Sequence, residues 1–170
     1  MSMAIDSTYR QLLRGQGAHI DPVAMLEDVS ADIAGKTIPG SPHSIWQIVS
    51  HLNYWMDYEL RRIAGKRPQY PEHAIESWPK TVAPASDADW QHQRAELARY
   101  LDEFRKLSES SPEALSAPVE CMHPSEEPRS PNVQAVLWQI LVHNSYHIGQ
   151  IALILRCVHL WPPRSGSDTW

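Results

Sequence analysis

The sequence predicts an all-α fold, a bundle of four helical regions in a single domain spanning residues 1–170. Three observations carry that expectation. Apolar residues recur at helical spacing in four regions, and alternating β-branched runs are nearly absent. The fourteen prolines fall almost wholly between those regions, where helix breakers belong. A chain of 170 residues is also long enough to bury a core without disulfides, and no internal repeat divides it.

The first helical region covers residues 3–34. Tyr9, Leu12 and Leu13 give it one apolar stripe, and Met25, Leu26, Val29 and Ile33 give it another. Gly15, Gly17 and Asp21-Pro22 break it in two, with Asp21 as N-cap and Pro22 at the first helical position. A Gly/Pro turn over residues 35–40 leads to the second helix, and so short a turn implies antiparallel neighbours. That helix opens at Ser41-Pro42, runs to about Ala64 and stops near Gly65 and Pro68. Ile45, Ile48, Val49, Leu52, Met56, Leu60 and Ile63 form its buried stripe.

The third helix runs from Ser86 to Ser110, with Trp90, Leu97, Leu101, Phe104 and Leu107 on one side. The fourth runs from Pro131 to just before Trp161-Pro162-Pro163, and residues 161–170 form a C-terminal tail. It carries Val133, Val136, Leu137, Ile140, Leu141, Ile148, Ile151, Leu155 and Val158. A helix apolar over so much of its circumference is expected at the centre of a bundle. The connections over residues 67–85 and 111–130 are long. At about 3.3 Å per extended residue, either one can cross a helix about 35 Å long, which permits parallel neighbouring helices.

Charge excludes some functions. The net charge is −5 with only 15 Lys and Arg, so no field draws the chain to nucleic acid. The small cluster Arg61, Arg62, Lys66 and Arg67 reads as a solvated helix end. No stretch approaches 18 uninterrupted apolar residues, and the first ten residues lack the pattern of a signal peptide. Cys121 and Cys157 form no CxxC motif, which fits reduced thiols and a cytoplasmic location.

The nine histidines are the most informative residues. His143 and His147 lie four apart on the fourth helix, so both imidazoles leave one face a turn apart. Val136, Ile140, Ile151 and Ile154 share that face, which turns both rings toward the core. Spacing alone leaves two readings open. The rings share one ion, or each is satisfied by its own hydrogen bond and serves packing. His51 lies in or beside the apolar stripe of the second helix. If the second and fourth helices run antiparallel the three rings can meet at one level, and helix lengths alone leave a parallel arrangement open as well. His19, His73 and His123 fall in breaks or loops, and His92 lies among polar residues. His43 sits in the first turn of the second helix, and His159 follows the last turn of the fourth, where a cation suits the helix dipole. Trp46, Trp138 and Tyr146 read as core or interface aromatics.

The segment Pro42-His43-Ser44-Ile45-Trp46-Gln47-Ile48-Val49-Ser50-His51, with Trp55 after it, resembles the second-helix motif of the DinB/YfiT-like superfamily. The run His143-Asn144-Ser145-Tyr146-His147-Ile148-Gly149-Gln150-Ile151 resembles that family's last-helix motif, and Trp161-Pro162-Pro163 resembles its ending. The resemblance covers nearly the whole chain. It implies a four-helix bundle with a long crossover between the second and third helices. It also implies one divalent metal ion held by His51, His143 and His147, close helix approach at Gly149, and a homodimer.

Three imidazoles suit Zn, Ni, Fe or Cu, with Zn or Ni expected first. They leave a coordination position open, as catalytic sites do. The resemblance therefore implies a metal-dependent thiol S-transferase-like enzyme acting on a small thiol and an electrophile, with metal-dependent hydrolysis as the alternative. A non-catalytic metal-binding or stress-response protein, stiffened by its ion, is the further alternative. Asp28, Asp57 and Glu59 are candidate carboxylates behind the ligands, although each reads more simply as a surface charge. No residue stands out as a general base.

Overall fold

The computed structural model describes residues 3–122 and 130–165. These residues form six α-helices and two 3-10 turns, and their only β-type pairing is a bridge between Pro118 and Asn132. Helix α1 (Met3–Leu13) ends where Gly15 adopts φ 77°, a conformation that disfavours a side chain. A Cβ there would also collide with the carbonyl and imidazole of His19.

Asp21 Oδ1 accepts from the Val23 and Ala24 amides at 2.8 and 3.1 Å, but the next turn begins at Ala24 with Val23, not Asp21, as its N-cap. Beyond it the chain forms a 3-10 turn at Ala24–Leu26 and the short α2 (Ala31–Ala34) rather than a second long helix. Ser30 is the physical reason. Its backbone is extended, and its hydroxyl accepts from the Ile33 amide to start a separate helix. Met25, Leu26 and Val29 are buried all the same.

Helix α3 (Ile45–Ile63) starts one turn later than its sequence suggests. Ser44, not Ser41, is the N-cap. Its hydroxyl accepts from the Gln47 amide at 3.2 Å, and Gln47 Oε1 accepts from the Ser44 amide at 3.1 Å. This reciprocal capping box outcompetes the Ser41-Pro42 signal, and Ser41 spends its hydroxyl on the His43 carbonyl in the preceding turn. Helix α4 (Asp87–Ser108) is capped by Ser86, α5 (Pro112–Leu115) by Ser111, and α6 (Val133–Cys157) by Asn132.

The four long helices pack in a ring: α1 against α4 and α6, and α3 against the same two. Hydrogen bonds give the directions. Asn53 bonds to Gln93 and, further along, Asp57 accepts from Tyr100, so α3 and α4 run parallel. Met56 meets Asn144, Glu59 meets Gln139 and Arg62 meets the Ser130 carbonyl, so α3 and α6 run antiparallel. Parallel neighbours require the intervening chain to travel back along the bundle, which residues 64–86 do.

That crossover, which includes the 3-10 turn Ala74–Ser77, is fastened to the start of α3. Ser44 Oγ donates to the Val82 carbonyl at 2.5 Å, and Gln47 Nε2 donates to the Pro79 carbonyl at 3.2 Å. Ala83 presses on Gly35 so closely that a Cβ on the glycine would lie 2.5 Å from that of Ala83.

The core joins Ile48, Val49, Leu52 and Met56 of α3 to Trp90, Leu97, Leu101 and Phe104 of α4 and to the inner face of α6. Burying each such side chain stabilises the fold by about 1.5–3 kcal/mol. Trp90 is wholly buried, and its indole N–H donates to the Val29 carbonyl at 2.6 Å, tying the irregular segment to α4. Helix α6 touches α1, α3, α4 and α5, although it takes one place in the ring and not the centre expected of it. Its outer face stays bare, and Gly149 lies on that face with open space where a Cβ would project. The close approach expected at Gly149 is therefore absent within this chain. None of the described helices is long and apolar enough to cross a membrane.

Candidate metal centre

His51 lies one turn beyond the capping residue Gln47, so the cap that starts α3 also sets the height of this imidazole. Antiparallel packing then brings it opposite His143 and His147 on α6. One nitrogen from each of the three rings falls within 4.8 Å of the others. The ring centroids are 5.1 Å apart for His51 and His143, 4.9 Å for His51 and His147, and 4.7 Å for His143 and His147.

Hydrogen bonds fix which nitrogen faces inward. Ser77 donates its hydroxyl proton to the Ala74 carbonyl at 2.7 Å, leaving its oxygen to accept from His51 Nδ1 at 3.0 Å. The Ser77 carbonyl stands 3.3 Å from the same nitrogen. Gln150 Oε1, one turn along α6, accepts from His147 Nδ1 at 2.7 Å. With their protons on Nδ1, His51 and His147 present bare lone pairs on Nε2.

His51 Nε2 lies 3.2 Å from His143 Nε2. Two nitrogens bound to one tetrahedral ion at about 2.0–2.1 Å would lie about 3.3 Å apart, so this donor set fits a divalent cation. Trp78 stacks on His51 with centroids 3.8 Å apart and on His43 at 3.7 Å, holding the His51 ring in plane.

The electrostatics agree with that fit. Burial, followed by the neighbouring His143 and His147, pushes His51 down to about 3. Burial and then His147 push His143 down to about 4, and burial also lowers His147. All three are therefore neutral donors at neutral pH.

A model of the DinB superfamily matches residues 21–151, a span that contains all three histidines. The chain belongs to the DinB superfamily. Comparison with curated proteins and with solved structures gives no match.

Beside the histidines of this DinB-superfamily chain opens a cleft of about 490 Å³, lined by Trp55, Glu59, Arg62, Tyr70, Gln139, Ile140 and His143. One wall is aromatic and aliphatic, while the polar groups gather on α3 and α6 one turn from His143. Glu59 is 1% exposed and accepts from Gln139 Nε2 at 3.2 Å, with Arg62 at 3.4 Å. Burial raises its pKa, and the Arg62 charge offsets part of that rise.

Of the three candidate carboxylates, only Glu59 lines the cleft, and it is no surface charge. Asp28 pairs with Arg164, and Asp57 pairs with Arg61 and accepts from Tyr100 on the α4 side. Arg62, read from the sequence as part of a solvated helix end, is likewise buried at 6% exposure. Arg61 and Arg67 each pair with a carboxylate, Asp57 and Glu120 respectively.

The other histidines lie outside the triad. His19 bonds to Ser145 Oγ and the Ile20 carbonyl, and His43 packs on Trp78. His73 precedes the 3-10 turn, His92 lines a shallow groove between α3 and α4, and His159 takes φ 61° just past α6. His123 lies outside the described residues. Sequence reasoning missed Ser77, Trp78, Tyr70 and Gln150. Gln150 was detectable, since a residue three beyond a helical histidine shares its face. The other three come from the crossover, where no periodicity marks position.

Proposed function

We propose that the protein is a metal-dependent enzyme, holding one divalent ion on Nε2 of His51, His143 and His147 and acting on an electrophile seated in the adjoining cleft. The observation that supports this best is the position of His143, which belongs both to the triad and to the cleft wall. A closed structural site would have a fourth protein ligand, and among the described residues no Cys, Asp or Glu joins the group.

Zn or Ni suits this donor set best, with Fe or Cu also compatible. When bound, such an ion lowers the pKa of a coordinating thiol or water and so makes it a nucleophile near neutral pH. The chain's own part is to present three neutral imidazoles, to fix two of them through Ser77 and Gln150, and to hold the electrophile. Trp55, Tyr70 and Ile140 offer an apolar wall for its body. Transfer of a small thiol to that electrophile is the leading reading: the sulfur bonds to the electrophilic carbon, the leaving group departs with its electron pair, and the thiol proton goes to solvent.

Hydrolysis is the second reading, favoured by one observation. Glu59 is a buried carboxylate of raised pKa on the same cleft, the kind of group that accepts a proton from water.

The test is elemental analysis of protein purified without added metal, followed by assays of the loaded protein. About one equivalent of a divalent metal is expected, and it should be lost in His51→Ala. Loaded protein should consume thiol with a panel of electrophiles, and turnover no faster than that of His51→Ala would reject the transferase reading. Ester or amide cleavage without thiol would establish the hydrolase instead.

A further inference from the structure

His19 lies outside the metal centre, yet both of its ring nitrogens are engaged. Nδ1 stands 2.7 Å from the Ile20 carbonyl, and Nε2 stands 3.1 Å from Ser145 Oγ on α6. A carbonyl only accepts, so Nδ1 carries the proton and Nε2 of the neutral ring is bare. The Ser145 hydroxyl therefore donates to Nε2. An oriented base that holds a hydroxyl proton is the arrangement that makes a serine nucleophilic.

Two glycines shape this contact. The Gly15 carbonyl accepts from the His19 amide at 2.8 Å, and a Cβ on Gly15 would lie 2.6 Å from His19 Nδ1, in the space the imidazole needs. Ser145 sits on the outer side of α6, with exposed Val142 a turn before it and exposed Gly149 a turn after. Helical side chains lean toward the N-terminus, so a side chain at 149 would overhang Ser145. Gly149 has none, and nothing lies within 4 Å of where its Cβ would stand. The hydroxyl is thus half-buried against His19 with an approach left open from the Gly149 side.

We propose that Ser145 is an acyl-accepting nucleophile with His19 as its base, a covalent site separate from the metal centre, and that its co-substrate is an activated carboxylic ester. Oγ bonds to the ester carbonyl carbon while its proton passes to His19 Nε2. The bond from that carbon to the alcohol oxygen then breaks, and the alkoxide leaves with the proton held on His19. Val142 and Tyr146, 62% and 65% exposed beside the serine, favour an apolar acyl group. The Ser145 amide is committed to the ladder of α6 and does not serve an oxyanion, which suits one transfer from an already reactive ester and not rapid turnover.

Treating the full chain with 4-nitrophenyl butyrate and mapping the modified peptides by mass spectrometry tests the proposal. Ser145 should gain the butyryl group about a hundredfold faster than any other serine, the low end of what a positioned base supplies. His19→Gln keeps an acceptor for the hydroxyl, and so the fastening of this loop to α6, but removes the base. The Ser145 rate should fall by about the same factor with helical circular dichroism unchanged. Gly149→Leu, which has open space within its own chain, should slow the reaction by covering the hydroxyl. The adduct should persist in His51→Ala, because no metal takes part. A Ser145 that reacts no faster than other serines, or as fast in His19→Gln as in the wild type, overturns the proposal, and loss of the adduct in His51→Ala does the same. An undiminished rate in Gly149→Leu overturns the path of approach.

Discussion

Ser77 Oγ stands 3.0 Å from Nδ1 of His51, joining the crossover to α3 across 26 residues of sequence. The serine hydroxyl proton is committed to the Ala74 carbonyl, so this oxygen acts on the histidine as an acceptor. It thereby selects the tautomer whose Nε2 faces His143. A residue outside every long helix decides which nitrogen of His51 faces the other two histidines.

Ser77→Ala is expected to lower metal affinity about tenfold, the lower end of the range for loss of such a supporting contact. Competition against a chelating indicator measures this. The effect should stay below that of His51→Ala because the Ser77 carbonyl still faces the ring.

Gln150→Leu removes the acceptor that holds the His147 proton on Nδ1, and a loss of about 10–100-fold in metal affinity is expected. Gln150→Glu keeps an acceptor there and should bind at least as tightly as the wild type. Isothermal titration of metal into the three proteins checks the ranking.

Without metal, stability should fall in acid. An unfolded histidine titrates near 6.5, whereas His51 and His143 in the fold are held down to about 3 and about 4. Between those values the unfolded chain binds more protons than the native one, so stability rises with pH. The stabilisation is complete above about 6.5 and is lost progressively as pH falls toward 3. Thermal melts of metal-free protein from neutral pH downward should show the drop, and saturating metal should displace it to lower pH.

Glu59→Ala should cost about 3–5 kcal/mol, because it leaves Arg62 charged and buried without its carboxylate and strips Gln139 of its acceptor. Urea unfolding reads this directly. The isosteric Glu59→Gln should cost less in stability, since an oxygen remains for Gln139.

Ser44→Ala should cost about 0.5–2 kcal/mol through loss of the cap. It should also weaken metal binding, because the same hydroxyl holds the Val82 carbonyl and so the crossover that carries Ser77 and Trp78. Combined melts and metal titrations separate the two effects.

The long helices and the three histidines were legible in the sequence because both follow helical periodicity. The stripes of α3 and α6 place His51, His143 and His147 on inward faces, and the resemblance supplied their convergence. The limits are physical. Ser41-Pro42 reads as the helix start, whereas the start is set at Ser44 by the Gln47 side chain three residues on. Met25, Leu26 and Val29 carry helical spacing but bury through a 3-10 turn, since Ser30 restarts the chain locally. Glu59 reads as a surface charge and Arg62 as part of a solvated helix end, and it is the packing of α6 that buries them. Ser77 and Trp78 sit in a connection whose placement depends on contacts with Ser44 and Gln47.

Because His51 and His143 are separated by 92 residues, no length of chain that stops short of α6 contains more than one of the three histidines. The group of three is therefore incomplete until the last helix has formed and docked antiparallel against α3. A chain that lacked α6 would keep one histidine of the group and could not assemble the three.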